Sequence, residues 1–273
     1  MKAKIILLLV CISIQTVAQN YQVTYLAKGV KELKKDTLSS SIEEKAILLI
    51  KNSSESFFFS SLFEINDRFY KKIEENEKNG GSIDPYEYLD SLNKLTYPSF
   101  LEDECITKLD NAGSYQTWTT IGIEAYQYKQ KNLYHWVLGS ETKAILGYTC
   151  LQATTELHGR TFTAWYTEDI PIMSGPHKFS GLPGLIMQVE STDKLFRFEA
   201  IGFEKIDSFS NIIPWYAQEA RPISFPDFLK IRSDYYRDPL KQFENQGFTV
   251  QLSPEFSRKL DSQRNYIFIE ERE

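Results

Sequence analysis

Residues 149–203 read TCLQATTELHGRTFTAWYTEDIPIMSGPHKFSGLPGLIMQVESTDKLFRFEAIGF. Four short runs in this stretch, at 149–156, 162–166, 185–190 and 195–203, are rich in β-branched and aromatic residues. Polar or glycine-containing breaks bound them, which is the signature of strands. No long amphipathic helical pattern separates one run from the next, so a parallel βαβ sheet is excluded and antiparallel pairing is expected. Working upstream, 117–123, 125–130 and 133–138 have the same texture. Residues 21–26 alternate as an opening strand, 46–51 form a short apolar run, and 56–63 contain Phe57, Phe58 and Phe59 in succession. Successive side chains on a strand point to opposite faces, so three adjacent phenylalanines require a second layer or a groove. Downstream, 225–244 turn helical: Ser224 can cap, Pro226 fits the first turn, and Phe228, Leu229 and Ile231 form an apolar stripe. The expected fold is α+β and β-rich, a curved antiparallel sheet with a C-terminal helix. Residues 266–269 are a last candidate strand.

Three segments read as irregular or locally helical. Residues 31–37 have no apolar face and are expected to be a loop. Residues 71–81, rich in Lys, Glu, Asn and Gly, carry almost no core material and are expected to be an exposed, mobile insertion. Asp84-Pro85 can open a short helix in which Leu89, Leu92 and Leu95 share a face.

The connection over 169–184 is long for a compact domain, and loops of that length are often functional. It carries Pro171, Gly175-Pro176, Gly181 and Pro183-Gly184, with His177 and Lys178 between these turn signals. His177, Lys178 and the nearby Trp165 are the candidate ligand- or partner-binding residues; the plainer reading of His177 and Lys178 is a pair of solvated surface side chains. Leu182-Pro183-Gly184-Leu185 places Pro and Gly at the two central positions of a type II turn, with Gly184 taking the positive φ. Gly181 would permit close backbone approach. Leu185 and Ile186 then open a buried strand, so the string Gly181-Leu182-Pro183-Gly184-Leu185-Ile186 is a structural turn or the rim of a binding site.

The chain start is an address. Lys2 and Lys4 precede an apolar stretch over 5–14, and Ala18 offers a small residue for cleavage, so residues 1–19 read as a secretory signal peptide. Ten apolar residues fall short of the roughly 20 that a bilayer core demands, and no later segment is longer. Residues 20–273 show no internal repeat or linker and read as a single domain. Export leaves two cysteines, Cys105 and Cys150, the candidates for a disulfide in an oxidising compartment; the alternative is two buried thiols.

Composition narrows the function by exclusion. A formal charge of −6 gives no electrostatic footprint for nucleic acid or for an anionic membrane surface. Three His and three Cys, scattered, offer no metal-ligand spacing. There is no Gly-x-Ser-x-Gly elbow and no phosphate-binding glycine loop. A thiol nucleophile would need Cys150 near His135, His158 or His177. Glu168-Asp169 is a carboxylate pair, but neighbours on an extended chain face opposite ways. No cofactor and no catalytic residue is implied.

The string over 181–186 resembles the signature of the GLPGLI family, exported proteins of uncharacterised function from Bacteroidetes. Trp136-Val137-Leu138, Glu141-Thr142-Lys143, Ile145 and Gly147-Tyr148-Thr149-Cys150 resemble the block upstream of that signature. Gly159-Arg160, Ala164-Trp165-Tyr166-Thr167, Ile170-Pro171, Gly175-Pro176 and Phe179 resemble its middle and lead-in. The resemblance is strong over 133–203 and loose towards the N-terminus, and it brings no catalytic residues. Its strand pattern is similar to the half-barrel sheets of periplasmic lipoprotein carriers, an analogy of fold alone.

Together these readings lead to an exported, periplasmic or secreted protein that binds rather than catalyses. The expected partners are an envelope or outer-membrane protein, a peptide or an apolar ligand. Trp118, Trp136, Trp165 and the Phe57–Phe59 run are available either to line a groove or to fill a core. The alternative is a hydrolase acting on envelope peptides or glycans.

Overall fold

A computed structural model describes residues 19–238 apart from 35–36, 52–53, 81–99, 102–103, 122–123, 132–133, 158 and 211. The signal peptide expected over 1–19 (apart from Gln19), the helix expected after Asp84, His158, and the tail containing 266–269 lie outside the described residues.

Twelve strands form one sheet. In chain order they are β1 (Asn20–Lys34), β2 (Thr37–Lys51), β3 (Glu55–Ser60), β4 (Cys105–Lys108), β5 (Ser114–Ile121), β6 (Glu124–Lys131), β7 (Val137–Ile145), β8 (Tyr148–Leu157), β9 (Arg160–Thr167), β10 (Leu185–Ser191), β11 (Phe196–Ile206) and β12 (Arg221–Pro222). Helix α1 (Ser61–Lys78) follows β3, and α2 (Phe225–Arg237) follows β12. The spatial order is β12-β6-β5-β4-β3-β2-β1-β11-β10-β9-β8-β7. Every pairing is antiparallel except β12 on β6.

This order is a meander cut once. β1 to β6 are sequential neighbours, β7 to β11 are sequential neighbours, and β11 pairs with β1. The cut is the β6–β7 connection, residues 132–136, which joins strands ten places apart in the sheet order. Laid flat, those strands would span about 48 Å at 4.8 Å spacing. Six Cα steps reach only about 20 Å. The sheet must therefore be strongly curved, which is the curvature expected from the strand pattern.

The phenylalanine run shows what the curvature encloses. Phe58 belongs to the main core on the inner face, with Tyr25, Ala27, Phe162, Ala164, Phe196 and Phe198. Phe57 and Phe59 face the other way into a second cluster with Phe63 of α1 and Tyr216 and Ala220 of the segment before β12. A third, smaller cluster seats α2 on β6: Phe228 packs on Tyr126, Tyr128 and Ile121. Ser224 caps α2 by accepting from the Asp227 amide, and Pro226 occupies its first turn, as the sequence indicates.

Three local expectations are corrected. Within the charged stretch over 31–37, residues 31–34 extend β1 and Thr37 opens β2, where a loop was expected. Residues 71–78, expected to be a mobile insertion, complete α1. Lys and Glu are good helix formers, Asp67 and Lys71 pair across one turn at 2.6 Å, and Asp67 also accepts from the Trp215 amide. Among the described side chains Phe63 is buried and anchors this helix, so a low apolar content was no sign of disorder. The strand expected over 133–138 begins at Val137 and runs on to Ile145, because Tyr134 and Trp136 are used in packing.

Candidate functional site

The signature loop, 168–184, lies on the inner face of the sheet. Its Ile170, Ile172, Phe179 and Leu182 are buried in the main core. The inner surface is thus filled by the chain's own loop, and the aromatic residues there are packing partners.

His177 and Lys178, read as a solvated pair, are corrected to buried side chains with 6% and 1% exposure. His177 takes a positive φ of 53°, which is unusual for a residue with a Cβ. Its ring stacks on Phe198, meets Phe58 edge-on, and places Nε2 3.3 Å from the Glu104 carboxylate. Lys178 turns to the other side, where its ammonium donates to the Tyr128 hydroxyl at 3.1 Å and lies 5.8 Å from the Phe225 ring centroid on α2. Burial alone would raise the Glu104 carboxyl. The nearby Lys178, His177 and Arg232 outweigh that and hold it well below the usual carboxylate range. Buried charge is tolerated here because it is paired.

Further polar ties fix the same loop. Lys108 of β4 donates to the Met173 carbonyl, to Ser174 Oγ at 3.3 Å and to Asn111 Oδ1 at 3.0 Å. Burial brings the Lys108 amine down to about 8. A serine beside a lysine of lowered pKa is a hydrolase-like pair, but three acceptors around Nζ suit an ammonium, and Ser174 is itself buried. Tyr115 and Ser180 share a hydrogen bond of 2.6 Å, and the Trp136 indole donates to the Ser180 carbonyl at 2.8 Å. Tyr134 stacks on both Trp136 and Phe179, so the β6–β7 connection is pinned across the loop.

The two glycines of the signature exchange the roles expected of them. Gly181 has the positive φ, 92°, and Gly184 does not. A Cβ on Gly184 would stand 2.0 Å from the Thr167 carbonyl oxygen. The Leu185 amide donates to Ile170 O, not back across a type II turn to Leu182. Gly184 is the close-approach glycine that lets β10 start against the end of β9. Leu185 and Ile186 then run into the core as expected.

Trp165 lies apart from His177 and Lys178, at the junction of β8, β9 and β10, opposite Gln152 and Gln188. Lys143 of β7 covers its ring at 4.3 Å and donates to Gln188 Oε1 at 2.5 Å. Burial and then the Arg197 charge lower the Lys143 amine. The three candidate binding residues therefore do not form one site.

Of the two readings of the cysteines, candidate disulfide or buried thiols, the structure has the second. Cys105 and Cys150 are both buried free thiols, Cys105 in the second cluster and Cys150 in the main core. Burial pushes both thiols up, which disfavours the thiolate a nucleophile needs. Among the described residues no three His, Cys, Asp or Glu side chains converge as a metal site, and no helix is long and apolar enough to cross a membrane.

The accessible feature is an edge. At one end of the sheet β12, two residues long and including Pro222, lies on β6, and α2 packs beside it. Short strands and proline are the usual protection of a sheet edge. At the other end, among the described residues, β7 pairs only with β8. Val137 and Leu138 are 67% and 60% exposed, and exposure continues through Thr142. Between Leu138 and Thr142 the strand arches over Gln152 of β8, which packs against Gly139. Val137 and Leu138 appear in the sequence directly after Trp136, but nothing in their spacing reveals that they border solvent.

A family model described as a protein of unknown function, Porph_ging, matches residues 154–188, from the middle of β8 to the start of β10. It covers the signature loop, and the match supports an uncharacterised family without confirming the GLPGLI assignment. A search of curated proteins finds no match. Among solved structures, PNGF-II in two crystal forms is similar, with 16% identity and TM-scores of 0.51. The match covers 79% or 78% of this chain, which spans about a third, 33%, of the PNGF-II chain. That likeness shows the fold alone. The Pseudomonas aeruginosa MucA/MucB complex (9% identity, TM-score 0.30, 71% of this chain and 54% of that one) is more remote. So is a LolA superfamily protein, NE2245, from Nitrosomonas europaea (10% identity, TM-score 0.23, 74% of each chain).

Proposed function

We propose that this chain is an exported cell-envelope binding protein that takes up an extended segment of a partner protein by strand addition at β7. One observation carries the reading: Val137 and Leu138 are adjacent, both exposed, and, among the described residues, on an edge strand. Adjacent strand residues point to opposite faces. Covering both at once calls for a ligand that continues the sheet, with side chains above and below it. A helix or an apolar molecule resting on one face would cover only one of them. The filled inner face favours a peptide over an apolar ligand, and the buried Glu104, His177 and Lys178 favour binding over hydrolysis.

The orientation of β7 supplies a clean test. Leu146 and Gly147 both have positive φ, so Ile145 and Tyr148 flank a two-residue hairpin turn and form a hydrogen-bonded pair. Alternation then directs the Ala144 and Thr142 backbone groups away from β8. Thr142→Pro removes an outward N–H and leaves the β7–β8 ladder in place. Selection of displayed random nonapeptides on the immobilised protein should enrich sequences that alternate apolar and polar residues, and the Thr142→Pro variant should enrich none. Equal enrichment on a folded Thr142→Pro variant overturns the reading. Export is tested separately by intact mass, which should begin at Gln19 or Asn20; a chain retaining Met1 overturns it.

A further inference from the structure

The accepting edge has two unlike faces. We infer that the partner segment is amphipathic and sets a bulky apolar side chain beside Leu138 on the inner face, where Trp136 and the rim of the signature loop determine specificity. This rests on β7 accepting a strand.

The faces follow from the register. Residues directly opposite on paired strands place their side chains on the same side of the sheet. Leu138 continues a row through Ala153, Ala164, Val189, Phe198 and Ala27 on β8, β9, β10, β11 and β1. Those five residues all belong to the main core. Val137 continues the neighbouring row through Thr154, Thr163, Glu190, Arg197 and Lys28, which is polar throughout and lies on the outer face. A strand added at β7 extends both rows by one position. Its residue in the inner row meets Leu138, 60% exposed, and its residue in the outer row borders threonines and water.

The backbone is open at that position. Alternation along β8 turns the N–H and C=O of Thr154 towards β7, as it does those of Tyr148 and Cys150. Val137 pairs with Thr154, so the N–H and C=O of Leu138 point away from β8. The contact precedes the break in register between Leu138 and Thr142 and needs no regular strand across the arch.

The signature loop shapes the inner side. Trp136, part-buried against the main core, donates its indole N–H to the Ser180 carbonyl at 2.8 Å, and Ser180 Oγ is tied to the Tyr115 hydroxyl at 2.6 Å. Gly181 is exposed beside that ring, and a Cβ there would meet only Trp136, at 3.7 Å or more. The glycine thus leaves the flank of the indole open. A bulky apolar side chain between Leu138 and this flank removes the most apolar surface from water.

Displayed random nonapeptides selected on the wild type, Leu138→Glu and Val137→Glu read the two faces separately. The wild-type pool should alternate, with bulky apolar residues in one phase. Leu138→Glu should bring Lys or Arg into that phase, and Val137→Glu should bring it into the other, since opposite charges are favoured directly across a strand pair. The nonapeptide most enriched on the wild type should bind Leu138→Glu about tenfold or more weakly, and one apolar-to-lysine change in the peptide should recover the loss. Trp136→Ala should keep the alternation and lose the preference for bulky side chains. Circular dichroism confirms that each variant is folded. Basic residues in the same phase for both glutamate variants, or pools that match the wild type while Thr142→Pro still abolishes selection, overturn the inference and leave the proposed function standing. An unchanged preference for bulky side chains in Trp136→Ala overturns the part assigned to the signature rim. A wild type that enriches nothing overturns both readings.

Discussion

The Cα of Gly184 sits so close to the Thr167 carbonyl that a Cβ would lie 2.0 Å from its oxygen. That contact joins the last residue of β9 to the residue before β10, and backbone atoms on both sides leave nothing flexible to give way. Gly184→Ala should therefore cost about 3 kcal/mol or more, in the range of severe overpacking. For a chain of this size that corresponds to a melting temperature lower by roughly 6–12 °C. An unchanged melting temperature would show that the β9–β10 junction relaxes freely.

Gly181→Ala acts by another route. The nearest atoms to a Cβ there, on the Trp136 ring, are at ordinary contact distance of 3.7 Å or more, so the cost is the strain of φ at 92°. A penalty of about 1–2 kcal/mol is expected. Thermal unfolding of the two variants side by side should rank Gly184→Ala as the more damaging, and the reverse order would restore the type II turn.

Lys178→Ala separates a solvated loop from a buried one. Removing the side chain takes away the charge that most lowers the Glu104 carboxyl and opens space against Tyr128 and Phe225. A loss of about 3 kcal/mol or more is expected, because one partner of a buried charge pair is left behind. Denaturant unfolding measures it, and a near-neutral result would place Lys178 at the surface.

Acid should unlock the same contacts. The Glu104 carboxyl is held below its ordinary range in the folded chain, so the folded state favours the carboxylate. Its stabilisation is fully present above the ordinary carboxylate pKa and is lost as pH falls from there towards the lowered folded value. Urea midpoints measured between pH 6 and 3 should fall more steeply for the wild type than for Glu104→Gln. Parallel slopes would remove Glu104 from the acid response.

The thiols give a covalent check. A membrane-permeant alkylating reagent should leave Cys105 and Cys150 unmodified in the native protein and label both after denaturation without reductant. A cross-linked peptide joining them would contradict the separation of the two clusters.

The sequence read most reliably where one face of a strand is buried. Tyr148–Leu157, Arg160–Thr167 and Leu185–Ser191 fall within a residue or two of expectation because period-two patterning marks them. The Phe57–Phe59 run calls for a second layer or a groove, and the second cluster is the layer. Helix α1 is hard to read from sequence because 71–78 continue it on Lys and Glu propensity, beyond Phe63 and the tie at Asp67. The burial of His177 and Lys178 was unreadable for a different reason. Their partners Glu104 and Tyr128 are 73 and 50 positions away, and only tertiary structure makes a lysine an interior residue. The sequence interchanges the glycine roles because turn chemistry shows within four residues, whereas the decisive neighbour, Thr167, belongs to another strand.

The pairing of β1 with β11 sets the order in which the molecule can assemble. Asn20 at the start of β1 hydrogen-bonds across to Asp207, 187 positions along the chain. As the polypeptide emerges from its N-terminus, β1 can find β2 at once, but its other flank waits for nearly the whole chain. Until β11 arrives, Val23, Tyr25 and Ala27 adjoin a raw strand border. Non-local closure of this kind is slow, and an unpaired border exposed meanwhile invites misassembly. Truncation before residue 196 should therefore yield not a smaller stable sheet but an aggregating one, and refolding should be limited by the docking of the two meanders.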